Sequence, residues 1–263
     1  MQEKLAHLTQ QLRAHAPLVI AYSGGVDSAY LLAEAHRCLG DEVLGVIADS
    51  PSLPRQALAD ALALAAQIGA RVEVVQTDEM ANPDYASNPI NRCYFCKAEL
   101  FLKLDELVLA RGFRAIAYGE NADDARAVRP GRLAAAEFAV LAPLKEAGLT
   151  KAEIRALSRE LSLPTADAPA QPCLSSRIPH GTPVTLDALA MVERGEAFLR
   201  TLGFRVFRVR HLVQLEAAPI AKVQIAPDEM ERLAPVRKEV ERGLRAAGYG
   251  SVEVDPAGYR TAL

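Results

Sequence analysis

The pattern of apolar and polar positions in the first 163 residues alternates between two periods. Short runs rich in β-branched residues predict four strands, at 18–22, 42–48, 71–76 and 113–119. Between them, apolar residues recur at helical spacing, which predicts helices at about 27–39, 53–68, 97–112 and 150–163. Alternation of strands and helices predicts an α/β fold, with a parallel sheet covered by helices on both faces.

The pattern changes after residue 163. Residues 164–184 contain five prolines and no apolar period, which predicts a loop or linker. The remaining pattern predicts a smaller α+β unit, with helices at about 185–202 and 227–247 and strands at 204–211, 220–226 and 251–255. We therefore divide the chain into a first domain at 1–163, a linker at 164–184 that carries Cys173, and a second domain at 185–263.

Composition narrows the class of protein. The chain has 263 residues, half of them hydrophobic, and a formal net charge of −3. This charge leaves no overall basic footprint, so a nucleic-acid partner is not expected. No apolar run is long enough to cross a bilayer, and residues 1–15 form an amphipathic helical pattern instead of a signal peptide. We expect a cytoplasmic protein with no membrane partner, whose four cysteines stay reduced.

The string YSGGVDS at 22–28 follows the first predicted strand and opens the next helix. Glycines allow close approach to a backbone, and a helix N-terminus offers unpaired N–H groups to an anion. The residues that would form this phosphate cradle are Ser23, Gly24, Gly25 and Ser28. A tight turn with a helix cap is the alternative interpretation of so short a string. The spacing matches neither GxGxxG nor GxxxxGK[ST].

The longer string SGGVDS resembles the PP-loop of the ATP pyrophosphatase superfamily. Five further strings, in this order, are similar to the LarE family of sulfurtransferases, which act in nickel-pincer nucleotide biosynthesis: ADSPSLPR, NRCYFCK, GENADD, PLKEAGLTKAEIR and CLSSRIPHGTPVT. The resemblance implies that ATP is split into AMP and pyrophosphate to activate a carboxylate of a small-molecule nucleotide, pyridinium-3,5-biscarboxylic acid mononucleotide. Sulfur then displaces the AMP.

The resemblance also implies which residues act. The pyrophosphate and Mg²⁺ end of ATP would be held by Ser23, Gly24, Gly25, Asp27 and Ser28, and the rest of the nucleotide site would include Asp49, Asn121 and Asp124. The phosphate of the second substrate would be bound by Arg208, Arg210 and Arg260. Glu196 is a weaker candidate for the pocket of these three arginines. From its position four residues after Cys173, Arg177 would orient the reacting carboxylate or phosphate.

Three cysteines bear on the source of the sulfur. Some members of the family sacrifice one cysteine, which aligns with Cys173, whereas this chain adds Cys93 and Cys96. Three thiolates suit a 4Fe-4S cluster with one open iron, which would pass on sulfide from a sulfide donor. A zinc site completed by His180, and thiols without a metal, are the alternatives.

Some positions depart from the pattern expected of the family, namely Ala166, Lys222 and Gln224. These departures bear on the contacts to the second substrate and leave the nucleotide loop unchanged.

Three rival functions remain: a tRNA thiolase that uses an Fe–S cluster, an ammonia-using synthetase and a non-catalytic nucleotide sensor. The resemblance further suggests a homo-oligomer, for which a hexamer is one candidate.

Overall fold

The computed structural model describes residues 1–126, 130–169 and 172–259, except for the side chains at 125 and 126. The chain divides into two compact units, which are described separately. The first unit comprises Met1–Ser50, Arg55–Glu79 and Asn91–Ala168, and the second comprises Pro51–Pro54, Met80–Ile90 and the chain from Pro169 onward.

The first unit is built on a parallel sheet of four strands in the order β3-β2-β1-β4. The strands are β1 (Leu18–Ala21), β2 (Val43–Asp49), β3 (Val72–Gln76) and β4 (Ala115–Tyr118). Its helices are α1 (Gln2–Ala14), α2 (Val26–Leu39), α3 (Arg55–Ile68), α5 (Arg92–Arg111), α6 (Gly131–Glu137), α7 (Pro143–Glu146) and α8 (Lys151–Glu160); α4 (Pro83–Ala86) belongs to the second unit. The predicted α/β fold is confirmed.

Burial explains the apolar strand pattern of this sheet. Leu18, Val19 and Ile20 of β1 are at most 1 % exposed, because the strand lies between β2 and β4 and is covered on both faces. The register pairs Ile20 with Gly45 of β2 and with Ala117 of β4. The carboxyl ends of these parallel strands therefore lie along one edge, where ligands of such sheets bind.

The second unit contains a mixed sheet in the order β5-β6-β7. Strands β5 (Phe207–Gln214) and β6 (Ala217–Ile225) are antiparallel, and β7 (Ser251–Val254) runs parallel to β6. Helices α9 (Leu186–Thr201) and α10 (Leu233–Ala246) complete this unit, and its core includes Val209 of β5, Val223 of β6 and Leu244 of α10. The predicted smaller domain with mixed secondary structure is thus confirmed in fold.

Two predicted helix starts were wrong. Helix α5 begins at Arg92 and not at 97, so Cys93 and Cys96 lie inside its first turns. Its apolar stripe extends back through Ala98 to Tyr94, which both pack on the core of the first unit. At 227–247 a 3₁₀ turn occupies Pro227–Arg232 and α10 follows it.

The predicted linker is not featureless, since it contains 3₁₀ turns at Pro164–Asp167 and Leu174–Arg177. No helix among the described residues is long and apolar enough to cross a membrane.

Candidate active site

The nucleotide loop, residues 22–28, joins the carboxyl end of β1 to the start of α2. Gly24 has a φ of +73°, and a Cβ atom at this position would lie 2.7 Å from the Cβ of Ala61 on α3. Both the conformation and the lack of space therefore require glycine. Gly25 is the N-cap of α2, so the free N–H groups of the first turn face the loop.

The two serines close the loop on itself. The hydroxyl of Ser28 is within hydrogen-bond distance of the Ser23 amide at 3.2 Å and of the Ser23 hydroxyl at 3.0 Å. It also donates to the carbonyl of Gly25 at 3.1 Å. These hydrogen bonds give the loop a defined shape and place hydroxyl and amide donors beside the helix N-terminus, as an anion requires.

Asp27 lies in the first turn of α2, with a side chain that is 15 % exposed. Its Oδ2 atom accepts from Lys151 Nζ at 2.7 Å and from Asn121 Nδ2 at 3.3 Å. Its Oδ1 atom is buried and has no hydrogen-bond partner among the described residues. A buried carboxylate oxygen without a partner is costly, and it is the kind of oxygen that Mg²⁺ prefers as a ligand. The residues present therefore fit a magnesium nucleotide.

The GENADD segment follows β4 and lies against the nucleotide loop. A Cβ on Gly119 would be 2.6 Å from the backbone nitrogen of Ser28, so the two segments touch through their backbones. Asn121 Oδ1 accepts from the amides of Asp123 at 2.9 Å and Asp124 at 3.2 Å, which leaves its amide group directed at Asp27. The structure thus brings Asn121 to the predicted nucleotide site.

Asp49, at the end of β2, is engaged within the protein. Its carboxylate contacts the Arg55 guanidinium at 2.5 Å and accepts from Gln76 Nε2 at 2.9 Å. The hydrogen bond from Arg55 lowers the pKa of Asp49 below its ordinary value. Asp49 is therefore ionised at neutral pH, and its predicted role toward the nucleotide stays a prediction.

The second unit contains the predicted phosphate-binding arginines. Arg208 and Arg210 project from the same face of β5, opposite Gln224 and Lys222 of β6. The Arg208 guanidinium lies 4.3 Å from the centre of the Tyr259 ring, and Arg210 donates to Gln224 Oε1 at 2.9 Å and to the Ser176 carbonyl at 2.7 Å.

Burial lowers the pKa of both Arg208 and Arg210, and the charge of Arg177 lowers each further. Since arginine titrates far above neutrality, both guanidinium groups stay charged. Two charged guanidinium groups side by side on one half-buried face are an arrangement that an anion would favour. Arg260, the third predicted arginine, lies outside the described residues.

Arg177 is 6 % exposed and forms a two-fold ion pair with Glu196, at 2.7 and 2.9 Å. Its remaining nitrogen donates to the carbonyls of Pro172 at 2.7 Å and Cys173 at 3.2 Å and to the Ser176 hydroxyl at 3.0 Å. The contacts that the structure gives Arg177 therefore fix the backbone around Cys173. A direct role on the reacting group stays a prediction.

The cysteines lie in both units. Cys93 is exposed and Cys96 half-buried in the first turns of α5, and Cys173 of the second unit is half-buried beside the 3₁₀ turn that follows it. Positions three apart on a helix share a face, so Cys93 and Cys96 suit two ligands of one metal group. Among the described residues, however, no three His, Cys, Asp or Glu side chains are grouped to hold a metal ion. The three-cysteine site stays a prediction.

Sequence reasoning missed Lys151 and Tyr259 as members of these sites. Lys151 follows the N-cap Thr150 of α8, in a string that supplied a helix prediction and part of the family resemblance but no role for the lysine. The sequence signal for Lys151 is weak. A lysine is unfavourable beside the positive end of a helix dipole, so its presence there suggests a separate reason for its position.

A parallel sheet with a glycine–serine loop between β1 and α2, followed by a small domain with a mixed sheet, is the architecture of the PP-loop class of folds. No protein-family model matches the chain. It is 41 % identical over 263 residues to an uncharacterized protein of Synechocystis sp., covering 99 % of this chain and 96 % of that one. It is 30 % identical over 259 residues to the pyridinium-3,5-bisthiocarboxylic acid mononucleotide synthase of Lactiplantibacillus plantarum, covering 98 % and 92 %. The chain belongs to the LarE-like family that this synthase represents, which confirms the resemblance drawn from the motifs.

Proposed function

We propose that the protein is an ATP-dependent sulfurtransferase that inserts sulfur into pyridinium-3,5-biscarboxylic acid mononucleotide. The observation that carries this proposal is the 30 % identity, over nearly the whole chain, to a synthase named for the bisthiocarboxylic acid product. The nucleotide loop and the arginine face of β5 support it, because the reaction needs one site for ATP and one for a phosphate-bearing substrate.

The first step is activation of a carboxylate. A substrate carboxylate oxygen attacks the α-phosphorus of ATP, and the bond from that phosphorus to the bridging oxygen breaks, with its electron pair leaving on pyrophosphate. The loop at Ser23–Ser28 would hold the pyrophosphate end through backbone N–H groups and hydroxyls. Asp27, whose Oδ1 atom has no partner within the described part of the chain, would hold Mg²⁺, which would neutralise charge on the phosphates.

The second step is displacement of AMP. Hydrosulfide attacks the carbonyl carbon of the acyl adenylate, a C–S bond forms, and the C–O bond to AMP breaks with its electron pair leaving on AMP. Two such rounds convert both carboxylates into thiocarboxylates. A 4Fe-4S cluster held by Cys93, Cys96 and Cys173 would supply the sulfide. In this proposal the arginines hold the substrate phosphate, so the carboxylate reaches the nucleotide in a defined orientation.

The test of the proposal is a product assay under anaerobic conditions with ATP, the biscarboxylic mononucleotide and sulfide. We expect AMP and pyrophosphate in equal amounts, together with the thiocarboxylate. ADP and orthophosphate as the main products would contradict the proposed cleavage. To test the thiolase alternative, bulk tRNA replaces the mononucleotide. To test the synthetase alternative, ammonia replaces the sulfide. Stimulation of pyrophosphate release by tRNA or by ammonia would favour the corresponding alternative.

The source of the sulfur needs its own experiment. The protein is reconstituted with iron and sulfide without oxygen, and Mössbauer spectra and turnovers per chain are measured for the wild type and for Cys93→Ser, Cys96→Ser and Cys173→Ser. A cluster that needs all three cysteines, with more than one product per chain, supports the catalytic route. Conversion of Cys173 to dehydroalanine after one turnover, with Cys93 and Cys96 dispensable, would show a sacrificial route instead.

A further inference from the structure

Gln224 of β6 connects Arg210, on the arginine face of β5, to Asp255, which follows β7. Its Oε1 atom accepts from Arg210 Nε at 2.9 Å, and its Nε2 atom donates to Asp255 Oδ2 at 2.8 Å. A guanidinium group only donates hydrogen bonds and an ionised carboxylate only accepts them, so these two partners fix the orientation of the amide. The oxygen of Gln224 must face Arg210, and its nitrogen must face Asp255.

Asp255 has partners of its own besides Gln224. Lys222 Nζ lies 3.3 Å from Asp255 Oδ2, and the amide of Ala257 donates to Asp255 Oδ1 at 3.1 Å. The hydrogen bond from Gln224, followed by that from Ala257, lowers the pKa of Asp255 below its ordinary value. Asp255 is therefore ionised at neutral pH, and the cation in contact with it is Lys222.

The second unit holds two of its arginines in different ways. The Arg177 guanidinium contacts both carboxylate oxygens of Glu196, at 2.7 and 2.9 Å, so its charge is neutralised. Arg210 instead donates to the amide oxygen of Gln224 and to the carbonyl of Ser176, which are both neutral. Within the described part of the chain, Arg210 forms no ion pair with a carboxylate. Its position is fixed, and its charge is left for a ligand.

We propose that Gln224 positions the Arg210 guanidinium for the phosphate of the substrate and, because it is neutral, leaves the charge of Arg210 available to that phosphate. This inference rests on the proposed function. A glutamate at position 224 could accept the same hydrogen bond, but its carboxylate would neutralise Arg210 and repel the phosphate. Gln224 is thus a positioning residue whose lack of charge determines how strongly the arginine face binds an anion. The departure from the family pattern at this position acquires a physical role.

The test measures binding of the biscarboxylic mononucleotide by calorimetry, without ATP, to Gln224→Glu and Gln224→Met. Gln224→Glu should weaken binding by roughly 10- to 100-fold, because the charge of Arg210 is lost to the phosphate. Gln224→Met leaves that charge and the bond to Ser176, so it should weaken binding by only about 2- to 5-fold. A purely structural role predicts the opposite order, because methionine removes both hydrogen bonds of Gln224 whereas glutamate keeps the one from Arg210.

A paired change separates the position of a charge from the net charge. Gln224→Glu combined with Asp255→Asn moves one negative charge from position 255 to position 224. It should still weaken the mononucleotide, by roughly 5-fold or more, because the carboxylate lies against Arg210. Gln214→Glu adds a charge at an exposed position of β5 and is the matched control, which should bind as the wild type does. All variants should bind ATP, and the nucleoside that lacks the phosphate, as the wild type does.

Equal binding of the mononucleotide by the wild type and Gln224→Glu would overturn the inference, and so would weaker binding by Gln224→Met than by Gln224→Glu. If Gln224→Glu does not fold, the paired variant, which has no repulsion between two carboxylates, takes its place in the comparison. If the variants follow the expected order but the wild type releases no pyrophosphate from ATP, the proposed function fails and the inference stands. If AMP and pyrophosphate form but Gln224→Glu binds normally, only the inference fails. A wild type that does not bind the mononucleotide overturns both.

Discussion

The nucleotide loop of the first unit and the arginine face of the second unit are two proposed anion sites built in different ways. The loop offers backbone N–H groups, two serine hydroxyls and one acidic residue, Asp27. The face of β5 offers the guanidinium groups of Arg208 and Arg210, whose pKa values are lowered chiefly by burial. A loop of this kind suits a metal-bound polyphosphate that must approach a backbone closely, whereas paired guanidinium groups suit a phosphate without a metal.

The largest effect should come from removing the carboxylate of the loop. Asp27→Asn keeps the shape of the side chain but removes the charge that would hold Mg²⁺, so AMP formation should fall by about 100-fold or more. Binding of the mononucleotide should hardly change, because that site is built from other residues. Quenched-flow measurement of AMP checks the prediction. The control is Asp60→Asn on α3, an exposed aspartate that accepts a hydrogen bond from Gln56 one turn earlier. A nearly normal rate in Asp27→Asn would contradict the proposed role.

The reciprocal change removes one guanidinium from the other site. Arg208→Ala should weaken binding of the mononucleotide by roughly 1.5–3 kcal/mol, the range for a hydrogen bond to a charged group. Binding of ATP should not change. Calorimetric titration of each ligand separates the two effects, and Arg205→Ala serves as the control because its side chain is 81 % exposed. If both variants weaken binding of the mononucleotide equally, the effect comes from general electrostatics and the face of β5 is not a specific site.

The loop also differs from the arginine face in needing glycine. Gly24 and Gly112 share a φ of +73°, but a Cβ on Gly24 would lie 2.7 Å from Ala61, whereas the position at Gly112 has open space. Gly112→Ala should cost about 1 kcal/mol in the free energy of unfolding from backbone strain alone. Gly24→Ala should cost roughly 1–3 kcal/mol more, because of the added overlap. Urea denaturation measures both, and equal losses would mean that α3 moves aside without cost.

Sequence reasoning predicted the parallel sheet and the position of the loop, because both depend on local signals. The apolar run Leu18–Ala21 and the glycines after it are contiguous, so strand, turn and helix start can be inferred from neighbours in the chain. Lys151 was missed because its partner Asp27 is 124 residues away, a separation that no local period records. The start of α5 was misplaced because the predicted helix began at 97, after the two cysteines, while packing of Tyr94 on the core extends the helix back to Arg92.

The smallest effect concerns the other face of β5, which packs on the core of the second unit. His211 is 4 % exposed, its Nδ1 atom has no hydrogen-bond partner among the described residues, and its ring packs on Tyr249 at 5.6 Å between centroids. Burial lowers the pKa of His211 below its ordinary value of 6.5. The folded protein therefore keeps this residue neutral over a range of pH in which the unfolded chain binds a proton.

Since the unfolded state then binds more protons, the stability linked to His211 is complete above about pH 6.5 and decreases as the pH falls toward the lowered pKa. His211→Phe keeps the ring contact and removes the titration, so its free energy of unfolding should fall less between pH 7.5 and pH 5.5 than that of the wild type, by up to about 1 kcal/mol. Urea denaturation at the two pH values measures this difference. His180→Gln changes an exposed histidine of the same unit and should behave as the wild type does. An identical pH dependence in His211→Phe would show that His211 binds its proton over the same pH range in the folded and unfolded states, so that burial on this face does not exclude a positive charge. Both faces of β5 would then accept positive charge, and the contrast between the arginine face and the core face would be lost.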